Sequence, residues 1–463
     1  MIPRETAEGL TPIHIMALST LRPSAVLSHL RRVHDHNVNT FRCQPLSEIS
    51  GSLGDLGTFL PLLIALASSS TQPHQISLST TLILTGLYNI ATGIFFGIPL
   101  PVQPMKAIAA IAIAKDLSRG EVMAAGIFVA SCIGLLSVTG LLEVVNRWVP
   151  VPVVKGIQVG AGLSLVVAAG GKALGKLEWR GPTWADNRLW LGVTFLFLLV
   201  CNIGPRMRRL PFALVVTVVG IVYAIILVVQ SNHRLPGIRA WHPEAYMPNA
   251  TEWRVGVLDA GLGQLPLTTL NSVVAVVALA SDLLPDVPTP TVTHVGLSVA
   301  AMNLIGCWFG GMPTCHGSGG LAAQYRFGAR SGSSIIFLGI LKLLLGLIFG
   351  NSLTGLLDKF PTALLTVMVI AAGLELVSVG ESLNSTTRAR DLKQERINEI
   401  HENESKERWT VMMVTAGLLL AFKNDAVGFL AGLLCHYSYV VAHRFERHEN
   451  DDTSEERRPL LPP

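Results

Sequence analysis

Long apolar runs recur through most of this 463-residue chain and constrain its fold more than any other feature of the sequence. A helix that crosses a lipid bilayer needs about 20 apolar residues. Runs of suitable length cover residues 53–69, 78–98, 122–145, 151–169, 189–203, 211–229, 265–284, 292–309, 335–349, 360–379, 410–422 and 427–441. Two further stretches, 101–114 and 317–327, are too short or too rich in glycine to cross alone. The sequence therefore predicts an all-α polytopic membrane protein with about fourteen crossings, two of them formed by half-helices.

The composition also indicates a lipid environment. Hydrophobic residues make up 50% of the chain and charged residues 14%, whereas soluble domains carry roughly 25% charged residues. The 43 glycines and 26 prolines are spread through the apolar runs, a pattern that transmembrane helices tolerate better than soluble helices do. The net charge is +4, but the lysines and arginines form no basic face with interleaved aromatic residues. We therefore exclude nucleic acid as a partner.

No pattern typical of an enzyme or of a metal site is present in the sequence. The six cysteines lie mostly inside or beside apolar runs and show no C-x-x-C spacing, so neither a zinc site nor a disulfide framework is indicated. The glycine-rich segment 317–320 is not followed by the Gly-Lys-Ser/Thr of a nucleotide-binding loop. No second polar cluster supplies a base to activate Cys315 as a nucleophile. We predict no enzyme activity, no metal and no cofactor.

The apolar runs fall into two halves, with polar segments between them and at both ends. The N-terminal arm, 1–47, carries five arginines and lacks the apolar core of a signal peptide. It is expected to be cytoplasmic and partly disordered, with a transit peptide as the alternative. Arginines at 206–209 then fall on the inner side, as the positive-inside rule requires. The other predicted parts are a first membrane repeat at 48–230, an extramembrane loop at 231–254, a second membrane repeat at 255–441 with a charged cytoplasmic loop at 382–408, and a cytoplasmic tail at 442–463.

An internal repeat is visible when the chain is shifted against itself by 214 residues. The offset aligns Asn89 with Asn303, Phe95 with Phe309, Gly97 with Gly311, Pro99 with Pro313 and Ala109 with Ala323. In both copies an apolar run ends in Gly-x-Pro, passes through a short irregular stretch and resumes as a half-helix. In transporters with repeated halves, such half-helices meet near the membrane midplane and their N-termini point at the substrate. Each N-terminus carries roughly half a positive charge, so we predict an anion site between the two segments.

The first interrupted segment, 99–106, reads PLPVQPMK. Pro104 is suited to the first turn of the half-helix, where its missing N–H would have no partner in any case. Gln103, Met105 and Lys106 are predicted to bind the substrate, with Gln103 and Lys106 as hydrogen-bond donors. An ionisable residue inside a membrane is usually functional. The alternative is that Lys106 extends to the membrane interface while Gln103 caps the backbone.

The second interrupted segment, 311–321, reads GMPTCHGSGGL. Its glycines would let an oxyanion approach successive backbone amides, as in phosphate-binding nests. Neutral side-chain donors are available in the same segment, and a purely structural role for its histidine is the alternative. The substrate-binding residues predicted here are Thr314, His316, Gly317, Ser318 and Gly319.

Polar residues also interrupt three other apolar runs. Thr58, Asn271 and Ser272 are predicted to complete the wall of the substrate cavity. Asp55 and Glu375 are candidates for carrying a coupling proton, because acids within a membrane often do so. The alternatives are that Asp55 caps a helix and that Glu375 is structural.

Four strings resemble the molybdate transporter family, which is related to the sulfate permeases. They are GSLGDLGTF at 51–59, PVQPMK at 101–106, QLPL with NSVVAV at 264–267 and 271–276, and CWFGGMPTCHGSGGL at 307–321. The resemblance extends over residues 48–381 and, more loosely, over 409–441. It implies the seven-plus-seven inverted-repeat fold of nucleobase and sulfate transporters, in which a core domain carries the site and moves against a gate domain. It also implies molybdate as the substrate.

The expected function is therefore transport of molybdate, a tetrahedral oxyanion, by alternating access, with proton coupling considered. Alternatives are a sulfate or other anion transporter of the same fold and a non-transporting membrane receptor. A nucleobase carrier is disfavoured, because no acid lies in 99–106 or 313–321. Expected partners are molybdate, the lipid bilayer and a second copy of the chain in a homodimer. The tail sequence ERRPLL at 456–461 resembles an acidic dileucine sorting signal, so the vacuolar membrane is considered beside the plasma membrane.

Overall fold

The computed structural model describes residues 23–54, 56, 59, 76–115, 117–202, 211–231, 236–238, 241–383 and 402–456. These residues are mostly helical, and most of the first predicted span, 53–69, lies outside them. In chain order the elements are α1 (Pro23–Cys43), α2 (Pro45–Ser52), α3 (Leu78–Phe96), β1 (Val102–Pro104), α4 (Lys106–Lys115), α5 (Arg119–Val138), α6 (Leu141–Trp148), α7 (Val151–Lys176), α8 (Arg188–Asn202), α9 (Phe212–Gln230), α10 (Ala250–Leu283), α11 (Val292–Gly306), β2 (Thr314–His316), α12 (Ser318–Arg326), α13 (Ser333–Ile348), α14 (Thr354–Asp358), α15 (Thr362–Ser378), α16 (Glu402–Phe422) and α17 (Asp425–Glu456).

Many of these helices are suited to cross a membrane. By length and apolar composition, seven spans qualify among the described residues: α3, α5, α7, α9, α10, α11 with the turn that follows it, and Ala426–His443 of α17. A further candidate is formed by α13 and the segment Gly350–Asp358, with a bend of 104° between them. The protein is a multi-pass integral membrane protein.

Helices of one repeat pack against helices of the other repeat in a reciprocal way. The 214-residue offset relates α3 to α11 and α5 to α13. In the structure α3 packs along α13, and α11 packs along α5. Glycines permit the close approach, since a Cβ added to Gly86 would lie only 2.7 Å from the carbonyl oxygen of Gly339. This reciprocal packing agrees with the predicted inverted repeat.

The helices form two groups, each with members from both repeats. The core group consists of α3–α5 and α10–α13 and contains both half-helices, α4 and α12. The flanking group consists of α7–α9 and α15–α17. The two groups meet where α7 packs against α10 and α12, and where α12 packs against α15.

A two-stranded antiparallel sheet joins the interrupted segments of the two repeats. β1 precedes α4 and β2 precedes α12, so each half-helix follows an extended segment as predicted. The paired residues are Val102 with His316, Gln103 with Cys315 and Pro104 with Thr314.

The first half-helix begins later than the sequence suggested. Met105 donates its N–H to the carbonyl of Pro313 at 2.8 Å, which extends the strand pairing by one residue. The prediction that Pro104 lies in the first helical turn is therefore wrong, because the chain stays extended through Met105 and the helix starts at Lys106.

An asparagine from the preceding span holds each strand. Asn89 on α3 accepts a hydrogen bond from the N–H of Val102 at 2.8 Å. Asn303 on α11 accepts from the N–H of Thr314 and donates to its carbonyl, both at 2.6 Å. Both asparagines are buried, and the 214-residue offset aligns them. The match has a physical reason, since backbone polar groups inside a membrane must be paired within the protein.

Three helices extend into ranges predicted as loops or tail, and one of them is α16, which begins at Glu402 within the predicted loop 382–408. α10 begins at Ala250, within the range predicted as a loop, because Asn249 and Glu252 form a capping box. Each of these two side chains accepts a hydrogen bond from the other residue's N–H, at 2.9 and 2.8 Å. α17 continues to Glu456, within the range predicted as the tail.

Part of the predicted N-terminal arm is a helix that packs on the membrane helices. Asn37 of α1 donates to the carbonyl of Gly93 on α3 at 3.0 Å. The same side chain accepts from the N–H of Gly332, next to α13, at 2.9 Å. Asn37 therefore ties α1 to both helices of the α3–α13 pair.

Candidate functional site

The paired strands bring residues of both interrupted segments together. Gln103 and Lys106 come from the first segment, and Thr314, His316 and Ser318 from the second. Except for Lys106, which is half-buried, these residues are almost completely buried. The predicted meeting of the two segments is therefore present in the structure.

The N-terminus of α12 offers unpaired backbone donors. Gly317 precedes this helix with an extended backbone and has no side chain to cap it. Its carbonyl accepts hydrogen bonds from the N–H groups of Gly320 and Leu321, at 3.1 Å each. Within the described part of the chain, the N–H groups of Ser318 and Gly319 have no acceptor. Adjacent free N–H groups at a helix N-terminus form an anion-binding site.

Lys106 places a positive charge beside these donors. A Cβ added to Gly319 would lie 3.9 Å from Nζ of Lys106, so the ammonium group reaches the N-terminus of α12. Lys106 forms no ion pair with any carboxylate that the structure describes. Leu165 of α7 lies 3.1 Å from the same Cβ position. The site therefore lies at the boundary between the core group and the flanking group.

Two glycines of the second segment make room for a protein side chain. A Cβ added to Gly317 would lie 2.7 Å from Oε1 of Gln103, and one added to Gly320 would overlap Nε2 of the same residue. Gln103 therefore lies over the first turn of α12. Gly319 is the glycine that faces Lys106. Because Gln103 occupies the space beside Gly317 and Gly320, less room is left for an anion than three glycines in the sequence suggested.

Two residues of α10 contact the second segment. The hydroxyl of Ser318 donates a hydrogen bond to Oδ1 of Asn271, and the hydroxyl of Ser272 donates to Sγ of Cys315 at 3.3 Å. Asn271 and Ser272 lie in a π-helical turn, Thr268–Ala275, and such turns are frequent at functional sites. Because the Ser318 hydroxyl is already paired, the backbone N–H of this residue is the donor left for a ligand.

Other predicted site residues contact packing partners. Met105 is fully buried in an apolar cluster of the core group. Nε2 of His316 lies 3.0 Å from the hydroxyl of Ser298 on α11, and its ring packs edge-on against Phe96. These contacts favour the structural alternative for His316.

Three predicted residues lie beyond what the structure describes. Asp55 and Thr58 are outside the described residues, and so is the side chain of Glu375, whose backbone belongs to α15. Their proposed positions in the cavity wall and in proton coupling stay predictions.

Gln264 was absent from the predicted site but contacts the first half-helix directly. Its Oε1 accepts hydrogen bonds from the N–H groups of Ala107 at 2.9 Å and Ile108 at 3.3 Å. Its Nε2 donates to the hydroxyl of Thr268 at 2.9 Å. The sequence could have indicated Gln264 as a site residue, because it begins one of the four strings that carry the family resemblance.

A buried ion pair between the two helix groups was also missed. Lys155 on α7 donates to Asp282 on α10, and their side chains are 4% and 7% exposed. Gln158, one turn further along α7, donates to the carbonyl of Ala275 at 3.0 Å. Both charged residues interrupt predicted apolar runs. Because charges within a membrane are usually functional, their positions in the sequence could have indicated this pair.

A second lysine supports the strand pair from the core group. Nζ of Lys342, on α13, donates to the carbonyl of Val102 at 3.4 Å and lies 3.9 Å from the ring centre of Phe59. The side chain is buried. Lys342 therefore adds a second positive charge close to β1.

A multi-pass helical bundle with two facing half-helices is the architecture of membrane transporters. A family model described as "Molybdate transporter of MFS superfamily" matches residues 47–165 and 256–376. The chain belongs to this molybdate transporter family.

Three relatives in plants and algae are similar along most of their length. The chain is 37% identical to molybdate transporter 2 of Arabidopsis thaliana over 431 residues, covering 84% of this chain and 86% of the relative. It is also 37% identical to molybdate transporter 1 of the same plant, covering 88% and 90%. Identity to molybdate transporter 1 of Chlamydomonas reinhardtii is 34%, covering 84% and 90%.

Solved structures of an anion transporter share the fold. The murine Solute Carrier 26 family member A9 in its inward-facing state superimposes with a TM-score of 0.53 at 13% identity, covering 96% of this chain and 74% of that one. A second structure of SLC26A9 gives a TM-score of 0.52 at 12% identity, covering 96% and 73%. The predicted inverted-repeat fold is confirmed.

Proposed function

We propose that this protein transports molybdate across a membrane. The observation that carries the proposal is the pair of free N–H groups at Ser318 and Gly319 with the ammonium group of Lys106 beside them. A tetrahedral dianion presents several oxygen atoms, so it can accept from the two N–H groups and from the ammonium group together. The curated relatives are molybdate transporters, which favours molybdate over other oxyanions.

The position of the site supports transport by alternating access. The donors belong to the core group, while Leu165 of the flanking group packs against Gly319. Movement of one group against the other would uncover the site, and rocking of this kind is common in transporters with inverted repeats. Proton coupling is included in the proposal, with Asp55 and Glu375 as the candidate carriers.

We also propose that both termini are cytoplasmic and that the protein resides in the vacuolar or the plasma membrane. The arginines at 206–209 support this orientation. The dileucine-like sequence at 456–461 supports delivery to the vacuole. The homodimer stays a prediction, which the mass of the purified protein in a membrane mimetic would test.

Vesicles that contain the purified protein are expected to accumulate molybdate in a saturable manner. Uptake is measured as vesicle molybdenum content against time, with protein-free vesicles as the control. Tungstate and sulfate are added as competitors, because both are tetrahedral dianions and sulfate is the alternative substrate. Absence of uptake in either protein orientation, with and without a pH gradient, would contradict the proposal.

Lys106→Ala is expected to weaken molybdate binding by about 10- to 100-fold. A hydrogen bond to a charged group contributes about 1.5–3 kcal/mol, and about 1.4 kcal/mol corresponds to a factor of ten. Dissociation constants are measured by titration calorimetry on the purified protein. Lys115→Ala is the matched control, since Lys115 ends the same helix, is 51% exposed and pairs with Asp259. Equal effects of the two substitutions would remove Lys106 from the site.

A further inference from the structure

The two half-helices present different N-termini to the site. At α4, the N–H groups of Ala107 and Ile108 donate to Oε1 of Gln264. At α12, the N–H groups of Ser318 and Gly319 have no acceptor among the residues that the structure describes. Helix N-termini leave their first N–H groups without partners inside the helix. Gln264 meets this need for two N–H groups at α4, whereas the N–H groups of Ser318 and Gly319 leave it open at α12.

Thr268 fixes the orientation of the Gln264 amide. Nε2 of Gln264 donates to the hydroxyl of Thr268 at 2.9 Å, one turn further along α10. The opposite orientation would set an NH₂ group against two N–H donors, so the oxygen must point at α4. Gln264 and Thr268 are completely buried, and water therefore does not compete for these hydrogen bonds.

We propose that the anion site is one-sided and that Gln264 makes it so. The carbonyl oxygen of this side chain takes the place that an anion's oxygen would occupy at α4. The substrate then binds to the N-terminus of α12 and to Lys106. This inference rests on the proposed function and deepens it, because it assigns Gln264 as a positioning residue that decides which half-helix holds the dianion.

A one-sided site has a consequence for affinity. One helix N-terminus contributes roughly half a positive charge, and Lys106 contributes one more. With Gln264 in place, the N-terminus of α4 offers fewer open N–H groups, so the dianion receives less positive charge than two open helix N-termini would supply. Translocation requires binding that is favourable enough for entry and weak enough for release. The uncharged Gln264 oxygen therefore moderates how tightly the substrate is held.

The test is Gln264→Glu, with molybdate affinity measured from about pH 5 to about pH 9. This range is chosen because a carboxyl group at a completely buried position is protonated to a higher pH than an exposed glutamate, whose ordinary pKa is about 4.3. A protonated glutamate matches glutamine in shape, accepts from α4 and donates to Thr268, so affinity at the acid end is expected to equal that of the wild type. An ionised glutamate adds a negative charge at the N-terminus of α4 and repels the dianion. At the alkaline end we expect affinity at least about tenfold lower than that of the wild type.

The wild-type pH profile is the first control for this test. The other charged and ionisable groups on the helices around this part of α10 are the same in both proteins, so their effects cancel in the comparison. They are Lys106, Lys115, Arg119, Glu121, Asp259 and His436. Gln324→Glu is the matched variant, since Gln324 is a buried glutamine at the opposite end of α12. Its pH profile is expected to run parallel to that of the wild type.

Ser318→Pro tests the open helix end separately. Proline is tolerated as the first residue of a helix and lacks the N–H, and the preceding Gly317 already has the extended backbone that a following proline requires (φ −99°, ψ 129°). Ser318→Ala keeps the N–H and removes the hydroxyl. We expect Ser318→Pro to bind molybdate at least about tenfold more weakly than Ser318→Ala.

The outcomes separate this inference from the proposed function. Wild-type affinity of Gln264→Glu at every pH would overturn the one-sided site and leave molybdate transport standing. Equal affinities of Ser318→Pro and Ser318→Ala would overturn it as well, including when Gln264→Glu fails to fold. A wild-type protein that binds no molybdate in the same titration would overturn both the proposed function and the inference.

Discussion

Removing either partner of the buried Lys155–Asp282 pair is expected to destabilise the protein strongly. Removing one partner of a buried ion pair costs about 3–5 kcal/mol. The two side chains are 4% and 7% exposed. Lys155→Met and Asp282→Leu are therefore expected to lower the unfolding temperature strongly and to abolish molybdate uptake.

The double variant Lys155→Met/Asp282→Leu isolates the interaction. Replacing a whole buried pair by apolar residues of similar volume is often neutral, so the double variant is expected to recover most of the thermal stability. Lys115→Met/Asp259→Leu is the matched control, since that pair spans 2.9 Å but its side chains are 51% and 35% exposed. Exposed pairs contribute about 0–1 kcal/mol. Single variants at Lys155 or Asp282 that melt like the wild type would contradict the expectation.

Uptake by the double variant separates stability from movement. The pair links the flanking group to the core group, so its hydrogen bond has to adjust whenever the groups move against each other. If the pair stabilises one arrangement of the two groups more than the other, the double variant recovers its melting temperature but transports molybdate at a changed rate. Recovery of both quantities to wild-type values would show that the pair is needed for stability alone.

Asn303→Leu is expected to disrupt the strand pair and destabilise the protein by about 2–6 kcal/mol. The substitution leaves the N–H and the carbonyl of Thr314 without the partner that now contacts both at 2.6 Å. Each unpaired buried polar group costs about 1–3 kcal/mol. Molybdate affinity should fall in parallel, because β2 positions the first turn of α12.

Asn89→Leu is the counterpart in the other repeat and provides the comparison. Asn89 accepts one hydrogen bond, from Val102, and its Nδ2 has no partner among the described residues. One lost group predicts a smaller cost, about 1–3 kcal/mol. Thermal unfolding of both variants in the same detergent measures the difference. A larger loss for Asn89→Leu than for Asn303→Leu would show that the hydrogen bonds of Asn303 are not what holds β2.

The span pattern and the two interrupted segments could be predicted because they depend on local sequence. A run of about 20 apolar residues selects a membrane helix whatever its neighbours are. Prolines and glycines in 99–106 and 311–321 mark the same interruption twice. The same approach misplaced the start of α10, because its first turns are polar and are held by the Asn249–Glu252 capping box rather than by lipid contact.

Contacts between distant segments could not be predicted in this way. Gln264 meets Ala107 only because α10 packs against α4, and Lys155 meets Asp282 only because α7 packs against α10. Which face a helix turns toward its neighbour depends on packing and not on apolar content. Gly317 and Gly320 are a further example. The sequence suggested that these glycines make room for a ligand, but in the structure the Gln103 side chain fills the space beside them.

The pairing of β1 with β2 also bears on how the protein is made. Val102 and its partner His316 are 214 residues apart, so the first strand enters the membrane long before the second has been synthesised. Until then the backbone groups of β1 lack their strand partner, and exposure of such groups to lipid is unfavourable. The nascent first repeat must therefore wait as an incomplete bundle shielded by other helices or by the insertion machinery. A chain that stopped after α9 would contain Lys106 but no binding site.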